Sequence, residues 1–288
     1  MDDLTRLMIF GGPVPLVIGL VGVVGGLFGR WRDETRDPFG WRLPLTIGVA
    51  FLASFLGING LPDSSLDVAS MTILAMAILG TFSQASRRTI LCATVAIIVM
   101  GAMIQWDLRR QDWWLRVAPI AYGAILFVIL EGVSRRMRPA PLALGLSASC
   151  GMAAAASIFA GGMQTFGFPC AAVAIVLLVI GIAALFSPRM RLDRGVLLPA
   201  IPLLTVVPVV LWTQLEAYGD EVPLPVLVGP VAAPLLFLVC VVGGRKVAWA
   251  TSILVGAIAA GSLAPLALRS DDGGSVPGEE DWESLYGG

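Results

Sequence analysis

Long apolar runs alternate with short polar ones along the whole chain. Ten runs stand out, at roughly 7 to 28, 43 to 61, 68 to 85, 89 to 106, 117 to 134, 140 to 160, 166 to 187, 195 to 212, 224 to 243 and 247 to 268. At 1.5 Å per residue a helix needs about 20 largely apolar residues to cross a hydrocarbon core about 30 Å thick. The runs match that length, and the pattern predicts an all-α polytopic bundle of about ten transmembrane helices. Short connections make neighbouring helices antiparallel. Inside these limits the only formally charged side chain is Glu131. Such exclusion is expected when a charge at the bilayer centre costs at least about 2.5 kcal/mol.

The loops supply an orientation, because Arg and Lys in short loops are retained on the cytoplasmic side. With the N-terminus outside, Arg30, Arg32, Arg36, Arg42, Arg87, Arg88, Arg135, Arg136, Arg138, Arg189, Arg191, Arg194, Arg245 and Lys246 all fall inside. They are fourteen of the nineteen basic residues, so both termini are expected on the extracytoplasmic face. Fifteen of the twenty acids fall outside, which agrees. Tryptophans cluster at the span ends, as indoles at headgroup level do. The sequence thus reads as a single membrane domain over 1–268, in a bacterial-type inner membrane, followed by an acidic tail over 269–288. The tail has too few apolar residues to offset ordering entropy and is expected to be disordered. The acidic start MDDLTR is not the basic n-region of a cleaved leader.

Composition narrows the function classes. Of 288 residues 57% are apolar and 14% charged, with mean hydropathy +0.86 and a formal net charge of -1. A nucleic-acid partner is excluded, since it requires a basic face. There is no histidine, which removes histidine-ligated haem and histidine acid–base chemistry. No Walker motif, GxSxG elbow or ligand cluster occurs. Neither a cofactor, a bound metal nor an enzymatic activity is expected. Cys92, Cys150, Cys170 and Cys240 sit singly in different spans and read as small apolar fillers.

Helix composition points to packing. Gly19, Gly22, Gly26 and Gly29 recur at three- and four-residue spacing on one face of the first span. In lipid, small residues let helices approach closely, so this stripe reads as an intramolecular seam rather than a self-association face. Spans six and ten are also rich in small residues, and the three are expected near the bundle centre. Pro199, Pro202, Pro208, Pro223, Pro225, Pro230 and Pro234 crowd spans eight and nine, which should be kinked or partly unwound. Irregular backbone at membrane depth must be buried in protein or reached by water. This region is therefore the candidate cavity, although bent helices satisfied by their neighbours are the simpler reading.

Few polar residues compete as sites. Glu131 precedes Arg135 by four residues in the favourable order, and a structural ion pair at a helix end accounts for it. Asn59 lies in INGLPDSSLD, a turn signature. Asp63 and Asp67, with Glu216, Asp220 and Glu221, are candidates for an acidic outer vestibule that binds a cation or serves a lipid-modifying enzyme. A solvated acidic face explains them more simply, and their spacing is not that of a calcium loop. The segment 106–117, WDLRRQDWWLRV, suits a short interfacial helix.

Two functions fit. A small secondary transporter or permease-like protein is the leading one, for an apolar, zwitterionic or lipid-like cargo, because intramembrane acids for proton coupling are missing. Its halves, 7–134 and 140–268, would form a five-plus-five inverted repeat. The other is a non-catalytic scaffold or assembly subunit. Membrane lipids are the expected partners in both cases, with other membrane proteins as candidates.

Overall fold

The computed structural model describes residues 3–32, 41–62, 65–82, 86–104, 113–159, 164–187, 190, 192–218, 224–243 and 247–265. Among these every element is helical: α1 (Asp3–Gly11), α2 (Pro13–Arg32), α3 (Arg42–Asn59), α4 (Ser65–Thr81), α5 (Arg87–Ile104), α6 (Trp113–Ser134) and α7 (Pro139–Phe159), then α8 (Gln164–Phe186), α9 (Arg194–Leu197), α10 (Ala200–Tyr218), α11 (Leu224–Ala232), a 3₁₀ segment (Ala233–Phe237), α12 (Leu238–Gly243) and α13 (Ala248–Gly261). The described part of each of the ten apolar runs is mostly helix. Among the described residues six stretches are long and apolar enough to cross a membrane: Leu4–Leu27, Arg42–Asn59, Val117–Ser134, Pro139–Phe159, Phe166–Phe186 and Arg194–Trp212. The segment 106–112, Asp63, and the tail 269–288 lie outside the described residues.

Close approaches sort the helix ends into two sets. At one end of the bundle, Gly80 near the end of α4 faces the Gly195 carbonyl of α9 and Pro44 at the start of α3. There too Arg42 donates to the Gly25 carbonyl of α2 at 2.9 Å, and Ser252 near the start of α13 donates to the Pro141 carbonyl at the start of α7. At the other end, Gly11 of α1 meets Phe168 near the start of α8, and Gly57 near the end of α3 meets Phe10. Gly229 in α11 likewise meets Ser262 beyond α13, and Gly167 meets Ile158 near the end of α7. Neighbours such as α3 and α4, α2 and α3, and α7 and α8 thus meet start to end, as antiparallel helices do, whereas α7 and α13 meet start to start.

The small-residue helices are not all central. The glycine stripe on α2 faces neighbouring helices: Gly19 faces Val176 and Val179 of α8, Gly22 abuts the Thr46 side chain of α3, and Gly26 is buried. Yet only 22% of the Leu4–Leu27 window is buried, and Leu4, Met8, Val17 and Val21 are exposed, so this helix lies at the rim. On α13, Ile253, Leu254 and Ile258 are exposed as well. Small residues clear one face for a neighbour, and the branched residues opposite remain for lipid. Only α7 meets the expectation of a central position. The most enclosed stretch is Arg194–Trp212, 83% buried, the proline-bearing α9 and α10.

Proline breaks appear where proline removes a donor. A turn at Leu198 and Pro199 separates α9 from α10. Pro202 cannot donate to the Leu198 carbonyl, which instead accepts from the Ile201 N–H at 3.0 Å. Pro199 and Pro202 are buried at this break, while Pro208 is accommodated within a continuous α10. The other break runs from α11 through the 3₁₀ segment to α12, with Pro230 in α11 and Pro234 at the start of the 3₁₀ turn. In 3₁₀ register the Val231 carbonyl would look to residue 234, a proline with no N–H. The Tyr122 hydroxyl of α6 donates to it instead.

Hydroxyls elsewhere are mostly satisfied by helix carbonyls. Thr46, Ser157 and Thr205 donate to carbonyls four residues earlier, and Ser147 of α7 donates across to Ala174 of α8 at 2.7 Å. This is how polar side chains remain compatible with a dry interior.

Glycine packing gives a direct check. A Cβ at Gly80 would overlap the Gly195 carbonyl and come within 2.8 Å of the Pro44 Cβ, whereas one at Gly25 meets nothing within 4 Å. Gly80→Ala should therefore lower stability by about 1–3 kcal/mol. Gly25→Ala should be neutral or stabilising by up to about 1 kcal/mol through helix propensity. Thermal unfolding of both variants in detergent measures the contrast.

Candidate functional site

Glu131 is the centre of the densest polar cluster among the described residues. It sits in the last turn of α6 with 3% of its side chain exposed. Three guanidinium groups converge on it. Arg135, one turn further on, places Nη2 2.8 Å from Oε1. Arg194, the first residue of α9, places Nη1 3.4 Å from the same oxygen. Arg87, the first residue of α5, places Nε 2.7 Å from Oε2. That last contact is close but off the N–H direction, so it is an ion pair rather than an aligned hydrogen bond. The pairing with Arg135 is the one expected from spacing, and the two long-range partners are additional.

Local sequence explains how each arginine is presented. The Ser86 hydroxyl accepts from the Thr89 N–H at 3.1 Å and caps α5, which sets Arg87 at its first turn. Asp193 caps α9, its Oδ1 accepting from the Arg194 N–H at 2.7 Å. After Ser134, α6 closes with the Met137 N–H on the Val133 carbonyl at 2.8 Å, and Pro139 opens α7. Pro is favoured at a first helical turn because its missing N–H would have no partner there.

The electrostatics are uneven. Arg135 lies near the C-terminal end of α6, where the helix dipole favours a cation. Arg87 and Arg194 lie at N-terminal ends, where it does not. Glu131 compensates both, and Asp193 compensates Arg194. Arg87 and Arg135 are 56% and 70% exposed, whereas Arg194 is 14% exposed. The Glu131–Arg194 contact is thus the enclosed member of the set. Below it a crevice lined by Phe127, Leu130, Leu197, Leu198 and Ile201 is too narrow to hold a water molecule. It lies against the α9–α10 break, the region expected to hold a cavity, and here it is closed.

The remaining polar candidates do not join this cluster. Asn59 is the last residue of α3, and Gly60 after it has φ 77°, the left-handed conformation glycine tolerates, with its N–H on the Leu56 carbonyl at 3.1 Å. The turn reading of this stretch fits that geometry. Asp67 lies in the first turn of α4, where a carboxylate complements the helix dipole, and its carbonyl accepts from the Ser70 hydroxyl at 2.6 Å. Asp63, Asp220 and Glu221 fall outside the described residues, as does the side chain of Glu216. Among the described residues no three His, Cys, Asp or Glu side chains come together as metal ligands. Ser54, Thr94 and Ser149 carry buried hydroxyl oxygens with no hydrogen-bond partner among the described residues, on three different helices.

The sequence pointed to Glu131–Arg135 through its four-residue spacing. Arg87 and Arg194 lie 44 and 63 positions away, and no local spacing announces them. Their signal was the alternation of basic loops, which assigned all three arginines to one face. No family model, curated protein or solved structure matches this chain.

Removing the carboxylate leaves three cations with no common partner. Glu131→Gln should therefore lower stability by about 3 kcal/mol, as breaking buried ion pairs does. Arg135→Gln removes an exposed partner and should cost less than about 1 kcal/mol. Denaturant unfolding of the two variants tests this order, and equal losses would contradict the enclosed character of Glu131.

Proposed function

We propose that this chain is a ten-span integral membrane protein of permease-like type, with both termini on the extracytoplasmic side of a bacterial-type inner membrane. The cargo class it fits is apolar, zwitterionic or lipid-like. The observation that carries this reading is the pair of interrupted helices, α9–α10 and α11–3₁₀–α12, in the C-terminal half. Discontinuous spans supply freed carbonyls and bendable joints, and transport sites are commonly built from them. Support for the topology comes from Arg87, Arg135 and Arg194 meeting at one carboxylate, because alternate loops of an antiparallel bundle share a face. The one charged side chain within the ten apolar runs, Glu131, is held by arginines, which favours a cargo moved without proton coupling. The halves 7–134 and 140–268 are the units that an inverted repeat would relate.

A second reading, a non-catalytic scaffold or assembly subunit, is favoured by a different observation. The crevice at the α9–α10 break admits no water, and the Val231 carbonyl freed by the other break is already bonded to Tyr122. A bundle satisfied in this way has no need to open.

Solvent access at the breaks separates the two readings. In a variant with its four cysteines replaced, single cysteines at Leu198 and Val231 should react with a membrane-impermeant thiol reagent in sealed vesicles, from one face or the other. A cysteine at the exposed Arg136 serves as the reactive control. Reaction at the control with none at either break from both faces would overturn the permease reading in favour of the scaffold.

A further inference from the structure

We infer that the Glu131 cluster is a binding site for the phosphate of an anionic phospholipid headgroup. Arg87 pairs with one oxygen of Glu131 as an ion pair and Arg135 donates to the other, so Glu131 draws two exposed guanidinium groups to one carboxylate. Each of them uses one nitrogen on Glu131, and a guanidinium carries five N–H donors in a planar fork. Arg87 and Arg135 are 56% and 70% exposed, so each keeps guanidinium surface open to a ligand while it is held on Glu131. Forks of this kind recognise phosphate oxygens in pairs.

Charge at this place favours an anion. Arg88, Arg136 and Arg138 are exposed in the same turns, and the described acids facing the site are Glu131 and Asp193. The dipole of α5 adds to the excess, because Arg87 and Arg88 open that helix. The site lies at the helix ends, which is headgroup depth for spans of this length. Trp41 and Trp249, exposed at that same end of α3 and α13, mark the level where indoles meet headgroups. Glu131 in this arrangement is a positioning residue: it offsets the repulsion between two arginines and leaves their outer donors to the lipid. The crevice beneath is too tight for a ligand, so the phosphate sits on the outer side of the guanidinium pair.

The test uses the full chain in lipid nanodiscs of phosphatidylcholine doped with phosphatidylglycerol, and counts retained phosphatidylglycerol by native mass spectrometry. A basic side chain near an anionic surface contributes about 1 kcal/mol, or about fivefold in affinity. Arg135→Gln should weaken phosphatidylglycerol retention about fivefold, and Arg87→Gln with Arg135→Gln roughly 25-fold by the same conversion. Arg88→Gln, which removes an exposed charge of the same face but no guanidinium held by Glu131, should weaken retention clearly less than Arg135→Gln does. If the double variant does not fold, Arg135→Lys serves in its place, keeping the charge but losing the fork and about half of the retention effect. Equal retention of phosphatidylglycerol and phosphatidylcholine would overturn the proposal. So would a loss in Arg88→Gln as large as in Arg135→Gln, which would indicate diffuse surface charge. Displacement of the lipid by millimolar inorganic phosphate would assign the site to free phosphate instead.

Discussion

A carboxylate with 3% exposure has lost most of its hydration and needs cations within bonding distance to offset that loss, and Glu131 finds three of them on three separate segments. Meeting that requirement ties the end of α6 to the starts of α5 and α9. The same segments adjoin other close contacts at this end of the bundle: Gly80 of α4 against Gly195, and Pro44 of α3 against Gly80. A shift of α9 would separate Arg194 from Glu131 and disturb the α3–α4–α9 junction together. The ion cluster is therefore the fixed point around which the most buried helix, α9–α10, is arranged. Buried ion pairs contribute little net stability against apolar replacements, and their value here lies in specifying which helix ends meet.

The rest of the interior follows from a second demand, that no backbone group be left without a partner in lipid. Continuous helices meet it internally. Where proline prevents this, the chain supplies a substitute: the Ile201 N–H serves Leu198, and the Tyr122 hydroxyl serves Val231. Glycines and alanines then set how closely the pieces pack. Gly145 admits Phe237 and Ser252 against α7, so that the 3₁₀ segment and α13 both seat on that helix. The two broken helices are thus seated against α6 and α7, and α9–α10 closes the crevice beside Glu131.

Much of this was legible in the sequence because it depends on local pattern. Apolar runs mark every helix, Pro202 and Pro234 mark the breaks, and Gly19 and Gly22 mark a face that meets neighbouring helices. The Glu131–Arg135 pair follows from helical periodicity. What periodicity cannot express is which face meets which helix. Glycine content placed the first span at the centre, whereas its leucines and valines leave it at the rim. The central position of α10 rests on contacts with α4, α6 and α7 that have no sequence signature. Arg87 and Arg194 were visible as basic loop residues but not as partners of Glu131, because their convergence is a product of tertiary packing.

The arrangement of helix ends is most directly tested by side-specific labelling of single cysteines in sealed, oriented vesicles, in a background lacking the native cysteines. Cysteines replacing Trp41, Arg88 and Arg136 should all react with an impermeant reagent from one side, and those replacing Leu61 and Phe159 from the opposite side. Reaction of Arg88 and Arg136 cysteines from different sides would contradict the account, since their neighbours Arg87 and Arg135 could then not share Glu131.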